Sequence, residues 1–220
     1  MTDDSNQSEQ QSPYVFLVDD EMEVRATLSR ALEIRGFSVK AFQSAEAFLE
    51  SYAPDVPGCL VLDYGMPGMN GLELQKEMSR RGISLPIIFI SGHGGVPESV
   101  QAMKGGAMDF IPKPFRQSAL VEAINKAFDH DAATREKFAR EFQTKTKFDR
   151  LTTREKEIAD FILANPSATS SKHIGRELDI SPRTVDHHRA RILEKLEVTS
   201  VAELITLAAT IRTMTTRWMK

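Results

Sequence analysis

The chain has 220 residues, 41% of them hydrophobic and 27% charged, a composition of ordinary globular type and a length that accommodates two domains of about 100 residues each. No apolar run approaches the roughly 18 residues of a membrane helix, residues 1–11 lack the basic and apolar regions of a secretory signal, and the lone Cys59 excludes an internal disulfide and fits a reducing cytoplasm. The net charge of −3 is uneven: residues 1–130 carry 11 Lys/Arg against 18 Asp/Glu and the remainder 17 against 13, which points to a polyanionic partner for the second half alone.

Residues 1–12, rich in Ser, Gln and Asp, read as a disordered tail. Residues 13–130 then form a first domain. Tyr14–Val18 is an apolar run that predicts a buried strand, and it ends on Asp19, Asp20 and Glu21. An apolar stripe from Val24 through Leu28, Ala31 and Leu32 predicts a helix closed by Gly36. Residues 37–42 alternate as an outer strand does, and 44–51 predict a short helix. Cys59–Leu62 is too short for a helix and does not alternate, so it reads as a strand buried on both faces. It stops on Asp63, and the loop that follows contains three glycines and a proline up to Gly71. Further elements are predicted as helix 72–81, strand 86–91, helix 97–104, strand 109–111 and helix 116–129. Cys59 itself needs no role beyond that of a small buried hydrophobe.

Strict alternation of five strands and five helices implies a parallel sheet covered on both faces. With a flavodoxin-like order 2-1-3-4-5, right-handed crossovers bring every strand's carboxyl end to one edge, and the ligand crevice lies between strands one and three. Asp19, Asp20, Asp63, Ser91 and Lys113 meet there. Three carboxylates that close require a cation, and hard oxygen ligands favour Mg²⁺, which leaves room for a phosphoryl group. Asp63 is then the nucleophile and phosphoacceptor. Asp20, Asp63 and the carbonyl of Gly65 hold the metal, and Asp19 assists through water. Lys113 neutralises one phosphoryl oxygen and Ser91 hydrogen-bonds another. Each block has a plainer reading when taken alone: Asp19-Asp20-Glu21 as a helix cap, Ser91 as a turn residue, Phe110 as ordinary core, His93 as an exposed loop residue.

Val-Asp-Asp-Glu at 18–21, Asp-Tyr-Gly-Met-Pro-Gly-Met-Asn-Gly at 63–71, Ser-Gly-His at 91–93 and Lys-Pro-Phe at 113–115 resemble the receiver domain of bacterial two-component response regulators. The resemblance implies a phosphoryl donor, the phosphohistidine of a sensor histidine kinase, and a cis peptide before Pro114. It also implies a switch in which Ser91 draws in the Gly92–Gly95 loop and Phe110 moves inward from an exposed rotamer, altering the surface of the helix at 96–105.

Residues 131–148 are highly charged and carry Phe138 and Phe142 at i, i+4, which predicts a semi-rigid, partly helical linker. Residues 149–213 predict a small all-α domain of four helices, followed by a tail at 214–220. Thr152 or Thr153 caps the first helix. The second runs from Ser171 to Leu178. The third starts at Ser181-Pro182, an N-cap followed by a proline at the first helical position, and continues to about Leu196. The fourth, from Val201 to about Arg212, has an apolar stripe that either closes the core or forms a dimer face. Two helices joined by a tight turn make a helix-turn-helix whose second helix enters the major groove.

Leu-Thr-Thr-Arg-Glu at 151–155, Ile-Ser-Pro-Arg-Thr-Val at 180–185, His188 and Lys195-Leu196 resemble the LuxR-type DNA-binding domain of NarL/FixJ response regulators, and Ser-Gly-His-Gly-Gly-Val-Pro at 91–97 points to the FixJ branch. The chain departs from that pattern in its 165–171 segment and in Gly175, where Ala is usual. The resemblance implies phosphate contacts from Thr184 and Arg189 and base-facing positions for Arg183, Asp186 and His187, with Arg191 on the same outer face. His188 reads as half-buried and structural. The partners implied are a cognate sensor kinase, promoter DNA, RNA polymerase and, on phosphorylation, a second copy of the chain; no membrane is expected. Two other readings differ in signature. A Mg²⁺-dependent phosphatase needs a second acid–base carboxylate two residues after Asp63, where Gly65 stands, and a vestigial receiver is at odds with the complete acidic and basic set.

Overall fold

The computed structural model describes residues 12–54, 56–92 and 95–215, with side chains as far as residue 209. The described chain divides into two compact units at Thr134 and Arg135. In the first unit β1 (Tyr14–Val18), α1 (Met22–Glu33), β2 (Ser38–Phe42), α2 (Ala45–Ser51), β3 (Gly58–Asp63), α3 (Gly71–Arg80), β4 (Ile87–Ser91), α4 (Val96–Lys104) and β5 (Asp109–Pro112) alternate in order. The strands form one parallel sheet ordered β2-β1-β3-β4-β5, as the alternation predicts.

Side chains alternate across each strand and so feed two cores. Phe16, Val18, Leu60, Leu62 and Phe89 pack with Phe48 of α2, Leu74 and Met78 of α3 and Ala102 of α4. Val15, Leu17, Val61, Ile88 and Ile90 pack with Leu28 and Leu32 of α1 and Leu120 and Ile124 of the helix after β5. β3 is buried along its whole length, which explains why its sequence is uniformly apolar. Cys59 is fully buried there and burial pushes its thiol up, in keeping with a packing role.

The helix after β5 departs from expectation. The sequence predicts a helix ending near Asp129 and a partly helical linker over 131–148, whereas α5 runs without interruption from Gln117 to Asp149. No Gly or Pro interrupts it, and i,i+4 pairs such as Lys126–Glu122 and Arg140–Glu136 line its exposed face. Asp131, at the supposed start of the linker, is buried and accepts the Gly58 backbone N–H at 2.9 Å. This fastens the helix to the start of β3.

In the second unit α6 (Thr153–Ala164), α7 (Ser171–Glu177), α8 (Pro182–Leu196) and α9 (Val201–Thr215) follow. Their core is Leu151, Ile158, Ile162, Ile174, Val185, Ile192, Leu196 and Leu204, with Phe148 from the end of α5 packed against it. The stripe on α9 closes this core: Leu204 and Ala208 are buried and Val201 and Ile205 pack beside them. The tails predicted at 1–12 and 214–220 lie outside the described residues, apart from Ser12 and the continuation of α9 through Thr215. No helix among the described residues is long and apolar enough to cross a membrane.

Candidate functional site

The end of β1 and the end of β3 are adjacent in the sheet, so Asp19 and Asp63 face one crevice. Lys113, just after β5, reaches both. Its Nζ donates to Asp19 Oδ2 at 2.9 Å and to Asp63 Oδ1 at 2.8 Å. The other oxygen of each carboxylate accepts a backbone N–H, from Gly65 at 2.8 Å for Asp63 Oδ2 and from Glu21 at 2.9 Å for Asp19 Oδ1. Burial pushes the Asp19 carboxyl above its ordinary range, a rise that the like charge of Asp63 reinforces and that Lys113 and the Glu21 N–H oppose. Burial by itself would pull the Lys113 ammonium down, but its bonds to Asp63 and Asp19 hold it above the ordinary lysine value.

The backbone around this crevice is closely fitted. The Tyr64 N–H donates to the Ile90 carbonyl at 3.0 Å and the Lys113 N–H to the Ser91 carbonyl at 2.7 Å, so β3, β4 and β5 are registered to one another at the crevice. Gly71, the first residue of α3, allows this: a Cβ there would stand 2.7 Å from the Asp63 carbonyl oxygen and 2.8 Å from the Phe89 ring. The Lys113–Pro114 peptide is cis, as the receiver resemblance implies.

The remaining predicted residues fall as follows. Ser91 is buried at the end of β4, and Asp20 is exposed beside Asp19. Gly65 directs its N–H at Asp63. Among the described residues no three His, Cys, Asp or Glu side chains gather closely enough to hold a metal ion together, and the cation that bridges Asp19 and Asp63 is Lys113 itself. The donor types still suit a hard divalent ion, since Asp19 and Asp63 bring buried carboxylate oxygens to one crevice and the exposed Asp20 follows Asp19 in the chain. Phe110 is half-buried and not turned to solvent as expected. Its ring packs 6.2 Å from Phe89 and 6.3 Å from Tyr64, centroid to centroid. His93 and Gly94 lie outside the described residues.

Arg25 was not anticipated. One turn into α1, its Nη1 donates to the carbonyls of Asp19 at 2.7 Å and Asp20 at 2.9 Å, tying the acidic strand end to the helix. A basic residue five to six positions after an acidic pair on a helical face was the available signal.

In the second unit the turn between α7 and α8 comprises 178–181, with Asp179 in the left-handed region at φ 53°. The Ile180 N–H returns to the Gly175 carbonyl at 2.9 Å. A Cβ on Gly175 would lie 2.6 Å from the Ile180 carbonyl oxygen, so the helix-turn-helix closes directly onto this glycine. Residues 165–170 connect α6 to α7, so the predicted 165–171 departure precedes the α7–α8 turn and leaves it short. Ser181 caps α8 through the Thr184 N–H at 3.1 Å, and its hydroxyl also pairs with that of Thr184 at 2.7 Å. Arg183, Asp186, His187 and Arg191 are exposed on α8, whereas Thr184, His188 and Arg189 are half-buried. Arg189 Nη1 is already occupied by the Thr169 carbonyl and Ser171 Oγ, each at 3.1 Å, and Ser171 Oγ donates to Asp186 Oδ1. The base of the domain is fixed by Glu155, buried under Lys195 at 2.6 Å and closing a capping box with Thr152.

Residues 15–125 match the response regulator receiver domain family, and residues 149–208 match the luxR family of bacterial regulatory proteins. The chain is 42% identical over 195 residues to the transcriptional regulatory protein FixJ of Rhizobium meliloti, covering 88% of this chain and 94% of that one. It is 38% identical over 197 residues to nodulation protein W of Bradyrhizobium diazoefficiens, with 90% and 86% covered. Among solved structures, the response regulator StyR superposes with a TM-score of 0.80 at 41% identity, covering 90% of this chain and 98% of that one. The acidic crevice bridged by lysine, the helix-turn-helix behind it in the sequence and these full-length likenesses together place the chain among the FixJ-type, LuxR-family DNA-binding response regulators of two-component systems.

Proposed function

We propose that the protein takes a phosphoryl group from a cognate sensor histidine kinase onto Asp63, and that this promotes dimerisation and promoter binding. The observation that carries the proposal is the Lys113 ammonium held between Asp19 Oδ2 and Asp63 Oδ1 at the β1–β3 crevice. A carboxylate oxygen of Asp63 attacks phosphorus, an O–P bond forms, the N–P bond to the kinase imidazole breaks, and its electron pair returns to the ring nitrogen. Lys113 neutralises one oxygen of the transferred group and Ser91 hydrogen-bonds another. Asp20, Asp63 and the Gly65 carbonyl would hold Mg²⁺, and Asp19 would assist through water. Such an ion would supply positive charge to offset that of the phosphoryl oxygens.

The added charge of about −1.5 to −2 competes with Asp19 for Lys113. Ser91 and Lys113 are joined through backbone, so a shift there reaches β4, β5 and the Phe110 ring, which rearranges against Tyr64 and Phe89. α4 already exposes an apolar stripe suited to a second copy: Val96, Val100 and Met103 stand one turn apart and are 78%, 44% and 47% exposed. In the DNA-binding unit, Thr184 and Arg189 lie against phosphates, and Arg183, Asp186, His187 and Arg191 face the groove. The protein acts in the cytoplasm with promoter DNA and RNA polymerase as partners, as a regulator and not as an enzyme.

Sedimentation and DNA binding with and without beryllofluoride and Mg²⁺ test the proposal. Dimer and DNA affinity rise together in the wild type; Asp63→Asn abolishes both responses. Arg183→Ala keeps phosphorylation and weakens DNA binding. DNA affinity that ignores beryllofluoride refutes the proposal in favour of a phosphate-independent regulator.

A further inference from the structure

The network at the top of α7 bears on sequence readout. Asp186 is an exposed anion near the start of a helix whose exposed face also carries Arg183 and Arg191. Against phosphates it only repels, and a carboxylate accepts hydrogen bonds without donating any. In the major groove its possible donors are exocyclic amino groups, cytosine N4 and adenine N6. The value of such a contact depends on the carboxylate being held still, since a freely rotating side chain loses conformational entropy on binding.

Ser171 alone bonds it directly, and Ser171 is itself held by Arg189. Arg189 Nη1 donates to Ser171 Oγ at 3.1 Å and to the Thr169 carbonyl at 3.1 Å. Ser171 has one hydroxyl proton, and it goes to Asp186 Oδ1. The chain Arg189 to Ser171 to Asp186 therefore runs in one direction, with the single Ser171 proton spent on Asp186, and it commits one carboxylate oxygen while leaving Oδ2 for another partner. Ser171 belongs to the first turn of α7, so the support comes from outside the recognition helix. From this juxtaposition we infer that Ser171 is a specificity-determining positioning residue, which orients Asp186 toward an amino-bearing base. This inference rests on the reading of α8 as the groove-facing helix.

The test uses the full chain with beryllofluoride and Mg²⁺, a randomised duplex pool to define the preferred site, and competition between that site and its single-base variants. In Ser171→Ala, preference for cytosine or adenine at one position of each half-site falls about three- to tenfold. The salt dependence of binding stays as in the wild type, because no phosphate contact is lost. Ser171→Thr, which keeps the hydroxyl, restores the preference, and Asp186→Ala removes it. If Ser171→Ala weakens all duplexes alike and preserves the base profile, Ser171 is a brace between helices and the inference is overturned. If Asp186→Ala and Arg183→Ala both leave the base profile intact, the groove-facing reading of α8 fails and the inference fails with it. A profile altered by Arg183→Ala and Asp186→Ala but not by Ser171→Ala defeats the positioning role alone.

Discussion

Lys113→Met isolates the charge arrangement at the crevice. The wild-type ammonium makes two charge-assisted bonds, at 2.9 and 2.8 Å, to carboxylates whose side chains are 0% and 10% exposed. Bonds of this kind contribute about 1.5–3 kcal/mol each, and breaking a buried pair costs about 3–5 kcal/mol. Lys113 is 20% exposed, so water recovers part of the loss, and we expect the receiver to be destabilised by about 2–3 kcal/mol at neutral pH. The loss depends on pH in a definite direction. The Asp19 carboxyl already lies above its ordinary range through burial, and without the ammonium it rises further. The folded state then binds more protons than the unfolded one over a wider interval, and stability falls as pH increases. The deficit of the variant is therefore smaller at pH 5 than at pH 8. Asp19→Asn in the Lys113→Met background removes the orphaned charge and recovers part of the stability. Native-state hydrogen exchange of β1 and β3 peptides, corrected for intrinsic rates, reads the opening free energy of this unit directly. A change below about 0.5 kcal/mol, or a deficit that does not vary between pH 5 and 8, refutes the reasoning.

Gly71→Ala forces a Cβ to within 2.7 Å of the Asp63 carbonyl oxygen, so it costs about 1–3 kcal/mol in the β3 exchange measurement and slows phosphorylation by acetyl phosphate; an unchanged rate counts against the close fit. Burial pushes the Glu155 carboxyl up, but Lys195 and the backbone and hydroxyl groups of Thr152 outweigh it and hold the group down to about 2. Its contribution, about 2 kcal/mol after screening at the Lys195 end, is complete above the unfolded value near 4.5 and is lost as pH falls toward 2. Exchange of α6 and α8 peptides shows this slope in the wild type and a flat profile in Glu155→Gln. Cys59 is fully buried with its thiol pushed up, so iodoacetamide labels it at the rate at which β3 opens; fast labelling of the native protein contradicts that.

Most of the first unit was legible because its signals are local. Buried parallel strands are short apolar runs, their ends are marked by polar residues, and alternation with helices leaves few topologies. That logic by itself brings Asp19, Asp63, Ser91 and Lys113 to one edge. The α8 start was equally legible, since Ser181-Pro182 is a complete cap signal, and Ser181 does accept the Thr184 N–H. The sequence does not mark where α5 ends, because a charged stretch without Gly or Pro looks the same whether it ends a helix or continues one. Asp131 decides the matter by reaching the Gly58 N–H across 73 residues of sequence.

The amino-acid order thus determined which elements form, their sequence along the sheet and the chemical types gathered at its edge, because these depend on periodicity and on neighbours a few residues apart. Tertiary structure alone decided how those groups are wired: Lys113 to both Asp19 and Asp63, Phe110 stacked on Phe89 and edge-on to Tyr64, and Arg189 through Ser171 to Asp186. Each of these contacts joins side chains from different elements. Their partners are set by the distance between packed backbones, which no spacing along the chain encodes.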